Sequence, residues 1–361
     1  MKKFLYRILL GLNILCAACL LVAYISPFIS PEDFWLPAFF GLAYPFFLIA
    51  NLLFVLLWLI RFKSVILISL LVILAGWGQH RTFIKIKGKD KIVTGERLKI
   101  LSYNVRLFNL YGWNTDRESR QQIFDFIRLE KPDIICFQDF FITDDSVFNT
   151  RRLLRELGPT PYFQFIPSPS KNHRKYTDLA TFSSIPIINQ GTIILPGRSH
   201  FCMFSDLIWN GDTIRIYNSH LQSTMLKGRM NKLYKNFNPM EEEYLEDLMD
   251  VSIDLRQAFR LRAQQVDVIR QHVNRCPYPV IICGDFNDTP GSYTYQTMKK
   301  GLRDAFVESG QGIGNTYRDR LPLFRIDHIL HSRNLYSSGF TRHRQTMSDH
   351  YPISCVITKK E

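Results

Sequence analysis

The sequence predicts a layered α/β domain carried behind a short series of apolar helices. Three observations predict it. The long uncharged runs are confined to the first 79 of the 361 residues. From Leu98 onward, short β-rich runs alternate with segments of helical period. Several of those runs are too continuously apolar for burial on one face alone, so helices are expected to cover the sheets they form.

The apolar runs come first. Ile8 to Ile25 and Phe39 to Ile60 carry no charge, and both reach the length needed to cross hydrocarbon. Val65 to Gly78 is shorter; a third span is expected there, with an interfacial or re-entrant helix as the alternative. Lys2, Lys3 and Arg7 would suit a signal peptide, but no small-x-small cleavage site follows, so an uncleaved anchor is expected. Lys2, Lys3, Arg7, Arg61 and Lys63 mark the cytoplasmic side, and Glu32 and Asp33 lie in the loop that then faces outward. Three spans place the rest of the chain outside the cytoplasm, against the pull of Arg81, Lys85, Lys87, Lys89 and Lys91. The expected organisation is an inner-membrane anchor over 1–79 (spans near 8–25, 39–60 and 65–78), a juxtamembrane linker with a short strand over 80–97, and one α/β domain over 98–361.

Within that domain, LKILSYNV, PDIICFQ, DLATFS, TIRIYNSHL, YPVIICGDFN and FRIDHILHS read as strands. Helical patterns run from Arg117 to Lys131, Thr150 to Leu157, Glu241 to Val273 and Ser292 to Lys300. Between Met225 and Met240, Lys227, Arg229, Lys232 and Lys235 interleave with Tyr234 and Phe237. A solvated insertion leading into the long helix explains this stretch, and a substrate-facing or membrane-facing loop is the alternative. The one CxxC among the seven cysteines, Cys16 to Cys19, lies inside the first apolar run and no Cys/His cluster accompanies it, so a structural zinc site or a disulfide framework is not indicated; they read as buried thiols. Beyond residue 79 there are 40 basic and 30 acidic residues. That surplus favours anionic partners, namely nucleic acid, phospholipid headgroups or phosphorylated small molecules, or else a basic surface beside an anionic membrane.

Polar groups collect where the apolar strands end. Asn104 closes LKILSYN, Asp139 follows DIICFQ, His220 closes IRIYNSH, Asp285 and Asn287 close VIICGDFN, Asp327 sits in FRIDHIL, and Asp349 and His350 stand in SDHYPI. A buried carboxylate must be paired or metal-bound, so several converging at strand ends predict a cation site. Hard oxygen ligands without cysteine suit Mg²⁺, with Mn²⁺ as an alternative.

In their order along the chain, SYN, FQD, SHLQS, GDFN, RIDHIL and SDH resemble the motifs of the endonuclease/exonuclease/phosphatase superfamily, over roughly residues 98 to 358. The resemblance implies a four-layer α/β/β/α sandwich of two packed sheets and an Mg²⁺-dependent phosphoesterase. It further implies that Asn104, Asp139 and Asp349 serve the metal, with Asp139 a direct ligand. Asp285 would orient or deprotonate the attacking water, while Asn287 would hold the phosphate and that aspartate. Asp327 would fix the His350 ring against the phosphoryl oxygens. His220 would contact the scissile phosphate from the opposite wall, and Asn104 would also touch substrate.

Two features refine the resemblance. The family usually has glutamate after the glutamine of its second motif, where this chain has Asp139, one methylene shorter. His220 matches the deoxyribonuclease I, sphingomyelinase and 5-phosphatase branches rather than the exonuclease III-like repair enzymes, which usually have tyrosine there. The expected partners are a lipid bilayer and an anionic phosphate ester, with no obligate protein partner indicated. A reading of a different class is an inactive, membrane-tethered binding module on the same fold, supported only by Asp139. His328, His331 and His343 read as surface or packing residues, and Arg260 and Arg262 as solvated charges on the long helix.

Overall fold

The computed structural model describes all residues except 1, 62, 87–94, 110–117, 142–159, 166–177, 198–200, 225–231, 234–237, 239–240, 319–322 and 360–361. The expected helix over 150–157 and most of the basic-aromatic stretch over 225–240 lie outside the described residues. The chain forms two compact units, and the division is not linear. One unit holds Met1–Arg81, Gln222–Asp267 and Thr289–Thr297; the other holds Thr82–Leu221, Val268–Asp288 and Met298–Glu361.

The first unit is helical. Helix α1 (Lys2–Ile25) is followed by α2 (Leu36–Leu42), α3 (Tyr44–Ile60), α4 (Ile66–Ala75) and α5 (Trp77–Phe83). The α1 segment, taken as Lys3–Phe28, is long and apolar enough by itself to cross a membrane; α2 with α3 and α4 with α5 qualify only as pairs bent by 64° and 68°.

Three levels of contact fix the register of these helices. The Tyr6 ring meets Trp58 edge-on at 5.6 Å. Midway, Trp58 Nε1 donates to Asn13 Oδ1 (2.8 Å), Asn13 Nδ2 to Ser69 Oγ (2.5 Å), and Ser69 Oγ to Asn51 Oδ1 (2.8 Å). Asn51 Nδ2 completes the chain by donating to the Cys16 and Phe47 carbonyls at 3.0 and 2.9 Å. At the far end Tyr24 packs on Tyr44, whose hydroxyl donates to His80 Nδ1 while His80 Nε2 donates to the Ile73 carbonyl. Gly76 stands where a Cβ would lie 2.1 Å from the Tyr24 ring, so no larger residue fits that crossing. The third apolar run therefore traverses the bundle beside the first two, as Ser69 and His80 lie at successive levels.

The second unit is built on two six-stranded sheets. In the first, β13 (Leu335–Arg342), β14 (Ile353–Lys359), β2 (Leu98–Asn104), β3 (Ile134–Gln138), β5 (Leu179–Ser183) and β4 (Tyr162–Phe165) lie in that order. In the second the order is β10 (Leu302–Asp304), β12 (Asp327–Ser332), β9 (Val280–Asp285), β8 (Asp212–His220), β7 (Phe201–Trp209) and β6 (Ile187–Ile194). The linker strand β1 (Ile84–Lys85) pairs with β11 (Gly312–Ile313).

The sheets pack face to face. Ile100, Ile134 and Cys355 of the first interdigitate with Ile216, Ile281, Cys283 and Ile329 of the second. The other face of the first sheet buries Leu101, Tyr103 and Phe137 against Ile123, Phe124 and Ile127 of α6 (Glu118–Glu130). Burial of each such side chain contributes about 1.5–3 kcal/mol, and central strands apolar on both faces are its sequence signature. The outer face of the second sheet meets the last turns of α7 (Glu242–Asn274), where His272 packs on Tyr217 and Phe204. This is the expected α/β/β/α layering. Buried amides stitch the sheets: Gln138 Nε2 donates to Asn218 Oδ1 at 2.8 Å, and Asn218 Nδ2 to the Phe137 and Ala180 carbonyls.

Four further side chains have defined places. Arg262, expected to be solvated, is buried, because its Nη1 donates to the Gln222 carbonyl at 2.9 Å and its guanidinium lies over the Phe259 ring. His328 and His331 are core residues, His328 stacked on Phe286 and His331 held by Glu308. His343 packs on Phe126.

Candidate active site

Sheet register builds the site. Along the second sheet, His220 is paired with Asp285 in the parallel β8–β9 ladder, and Asp285 with Asp327 in the antiparallel β9–β12 ladder. Three chemically active side chains thus end adjacent strands at one level. Gly284 permits this alignment: its φ is +151°, and a Cβ there would lie 1.9 Å from the Ser219 carbonyl oxygen of β8. In the first sheet Asn104 and Gln138 end the parallel β2–β3 pair, and Asp139 turns out of β3 with φ 48°. The two sheets meet where Asn104 Nδ2 donates to Asp285 Oδ2 at 3.0 Å.

Asp285 is the centre of the group and is fully buried. Its Oδ1 accepts the Asn287 amide at 2.8 Å, in a turn that Asn287 makes with φ 52° while its own Nδ2 donates to the Leu221 carbonyl. Burial pushes the Asp285 carboxyl up to about 6, with His350 opposing and Asp327 adding to the rise.

A histidine stands on each side. His350 Nδ1 donates to Asp327 Oδ2 at 2.9 Å, which leaves its Nε2 3.7 Å from Asp285 Oδ2. His220 Nδ1 donates to Asp178 Oδ1 at 2.7 Å, which leaves its Nε2 3.8 Å from the same oxygen. Burial works against protonating His350, but Asp327 and Asp285 outweigh it and hold the imidazolium to about 10. Burial likewise opposes His220, and Asp178, Asp139 and Asp285 hold it well above the ordinary histidine value. Both rings are therefore cationic at neutral pH, each braced by its own aspartate.

Asp178 is the residue that sequence reasoning missed. It opens the DLATFS run rather than closing one, and an acid one residue ahead of a buried strand was the only available signal. The remaining expected residues are less concentrated. Asp139 lies 3.7 Å from His220 Nδ1, and desolvation pushes its carboxyl up against the pull of His220. Asp349 is turned to Arg106 Nε at 3.4 Å, and Asn104 Oδ1 accepts the Arg106 amide.

Among the described residues, two groups could hold a metal ion, Asp139–Asp178–His220 and Asp285–Asp327–His350. The second satisfies itself through the contacts just described. The first keeps the half-exposed Asp139, a hard oxygen donor of the kind Mg²⁺ takes. Charge fits as well. The carboxylates of Asp139, Asp178, Asp285, Asp327 and Asp349 against protonated His220, His350 and Arg106 leave an excess of two negative charges, which one divalent cation balances.

Comparison with known proteins agrees with the fold. A sequence model of the Endonuclease/Exonuclease/phosphatase family matches residues 101–350, and one described as a domain of unknown function matches residues 6–83. No curated protein matches the chain. The fold is similar to an endonuclease/exonuclease/phosphatase from Beutenbergia cavernae (TM-score 0.52, 16% identity, 73% of this chain and 72% of that one). It is also similar to the human Nocturnin catalytic domain with bound sulfate anion (0.51, 19%, 73% and 94%) and to an endonuclease/exonuclease/phosphatase from Bacteroides vulgatus (0.52, 15%, 74% and 100%).

Proposed function

Because the chain belongs to the endonuclease/exonuclease/phosphatase family, we propose that it is a membrane-anchored phosphoesterase that hydrolyses a phosphodiester or phosphomonoester with water as the nucleophile. The observation that carries this reading is the pair of aspartate-braced imidazoles flanking Asp285, with Nε2 atoms 3.7 and 3.8 Å from one oxygen. Two cationic N–H donors facing one space suit the non-bridging oxygens of a phosphate. Asp285, with a pKa of about 6, is ionised at neutral pH yet basic enough to take a proton from water. The water oxygen attacks phosphorus in line, its proton passes to Asp285, and the ester P–O bond breaks as the leaving oxygen takes up a proton. Asn104 and the Asn287 amide keep the carboxylate aimed, and Asn287 would also hold the phosphate if its side chain left the Leu221 carbonyl. Asp139, with Asn104 and Asp349 nearby, would hold Mg²⁺ or Mn²⁺. Such an ion would supply neutralisation of phosphoryl charge and would lower the pKa of the attacking water.

Anchoring is supported by the contact levels of the helical unit, which carry three apolar traverses from the Tyr6–Trp58 end to the Tyr24–Tyr44–His80 end. The chain leaves for the α/β unit at Thr82, next to His80, hence at the same end as the Glu32–Asp33 loop. With that loop outside, the α/β unit is extracytoplasmic and its substrate a phospholipid headgroup, nucleic acid or phosphorylated small molecule met there.

The test is hydrolysis of bis(p-nitrophenyl) phosphate and p-nitrophenyl phosphate by the detergent-solubilised full chain. Turnover is expected with Mg²⁺ or Mn²⁺ and is expected to vanish with chelator. Undiminished turnover in chelator would overturn the metal assignment, and no turnover under any metal would favour the inactive binding module. Screening DNA, RNA, phospholipids and inositol phosphates then separates the substrate classes.

A further inference from the structure

Helix α7 begins with a surface that the phosphoesterase reading does not use. Leu245, Leu248, Met249 and Ile253 are 48%, 46%, 63% and 47% exposed, and their i, i+3, i+4, i+8 spacing places them in one stripe. Glu243, Asp247, Asp250 and Asp254 fall on the opposite side, and Glu246 flanks Ile253 at the edge of the stripe. The helix meets the protein along a third line, through Val251 and Ala258. Four large apolar side chains within nine residues of a soluble surface form an unusual patch.

Neighbours in the helical unit indicate what covers the stripe. The next residue along it, Arg256, lays its guanidinium 4.8 Å from the Trp35 ring centre. Phe259 then meets Phe39 edge-on at 5.2 Å, and Gln264 Nε2 donates to Glu32 Oε1 at 2.5 Å. The side of α7 that carries the apolar stripe is thus, about three turns further on, the side laid against the segment joining α1 to α3. That segment is itself apolar toward solvent at Phe28, Phe34 and Leu36. Leu245 lies about 16 Å along the helix from Arg256, at 1.5 Å per residue, so the stripe extends beyond the protein contact.

We propose that the first turns of α7, Leu245 to Ile253, lie on the bilayer surface as an interfacial helix with this stripe set among the acyl chains. The proposal rests on the reading that α1 to α5 cross a membrane. The acidic opposite side makes the attachment hydrophobic rather than electrostatic, so a neutral phosphatidylcholine surface suffices and anionic lipid does not strengthen it. An α7 held in this way adds a lipid contact some 170 residues after the last apolar run.

The experiment uses the full chain in phosphatidylcholine nanodiscs, with the photoreactive residue p-benzoylphenylalanine placed singly at Leu53, Met249 or Asp250. Leu53 lies on the exposed side of α3 and reports whether the bundle is in the bilayer. After illumination, mass spectrometry is expected to find lipid adducts at Leu53 and Met249 and none at Asp250, with equal Met249 yield when one third of the lipid is phosphatidylglycerol. Adducts at Leu53 without adducts at Met249, or a Met249 crosslink to a second copy of the chain, would overturn the interfacial helix while leaving the spanning bundle intact. Absence of adducts at Leu53 would overturn the spanning reading and the interfacial helix with it.

Discussion

Asn104 donates its side-chain amide to Asp285 across the seam between the two sheets, at 3.0 Å. The carboxylate proposed as general base is therefore aimed by a residue on the other sheet, and its position reports how the sheets are docked. Asp285→Asn keeps the shape, removes a buried charge and loses the base. Turnover is expected to fall on the order of 10²–10⁴-fold, with a melting temperature equal to or above that of the parent. Loss of activity accompanied by unfolding would contradict the assignment.

The buried Asp327–His350 pair makes the choice of substitution matter. His350→Ala would strand a buried carboxylate, at a cost of about 3–5 kcal/mol, so strand-end polar groups here do carry stability and alanine confuses the two effects. His350→Gln is the better probe and is expected to lower turnover on the order of 10²-fold or more. Adding Asp327→Asn to it should cost little further, because the orienting carboxylate then has no ring to orient. Additive losses in the double variant would show that the two residues act separately.

Asp178 braces His220 as Asp327 braces His350. With Asp178→Asn the strongest influence raising the His220 pKa is gone. The alkaline limb of the rate profile at saturating Mg²⁺ should move to lower pH, with the acidic limb in place. An unmoved alkaline limb would mean that Asp178 only packs against the ring.

The buried His328 sets an acid limit on stability. Burial and the neighbouring Arg325 depress its pKa from 6.5 to about 3, so the folded state keeps it neutral while the unfolded chain protonates it. The stability this contributes is complete above pH 6.5 and is lost as pH falls toward 3, by about 1.4 kcal/mol per unit. Denaturant melts of the chelated chain and of its His328→Gln variant between pH 6 and 4 should give a stability difference that changes with about that slope, because the opposing titration of Asp285 is common to both.

Much of the site could be read from the chain because it is written as punctuation: an apolar run, then one polar residue. Asn104, Asp139, His220 and Asp285 all follow that pattern, and adjacent strand ends necessarily converge. Asp178 escaped because it precedes its strand and finds its partner 42 residues away. Arg262 escaped for a related reason: a backbone carbonyl 40 residues distant satisfies it, and backbone acceptors leave no mark in sequence. The assignment of residues 222–267 and 289–297 to the helical unit was equally hidden, since both follow catalytic motifs without a break in composition.

During synthesis, Asn13 and Asn51 leave the ribosome well before Ser69, the hydroxyl that joins them. With the bundle set in a bilayer as proposed, an asparagine amide without its partner would be costly in hydrocarbon. The first two helices are then poor candidates for release into lipid as a finished hairpin and better ones for retention beside the insertion machinery until the third segment arrives. A chain shortened after Ile60 lacks Ser69 and would keep the Asn13 amide and the Asn51 side-chain oxygen without that hydroxyl permanently.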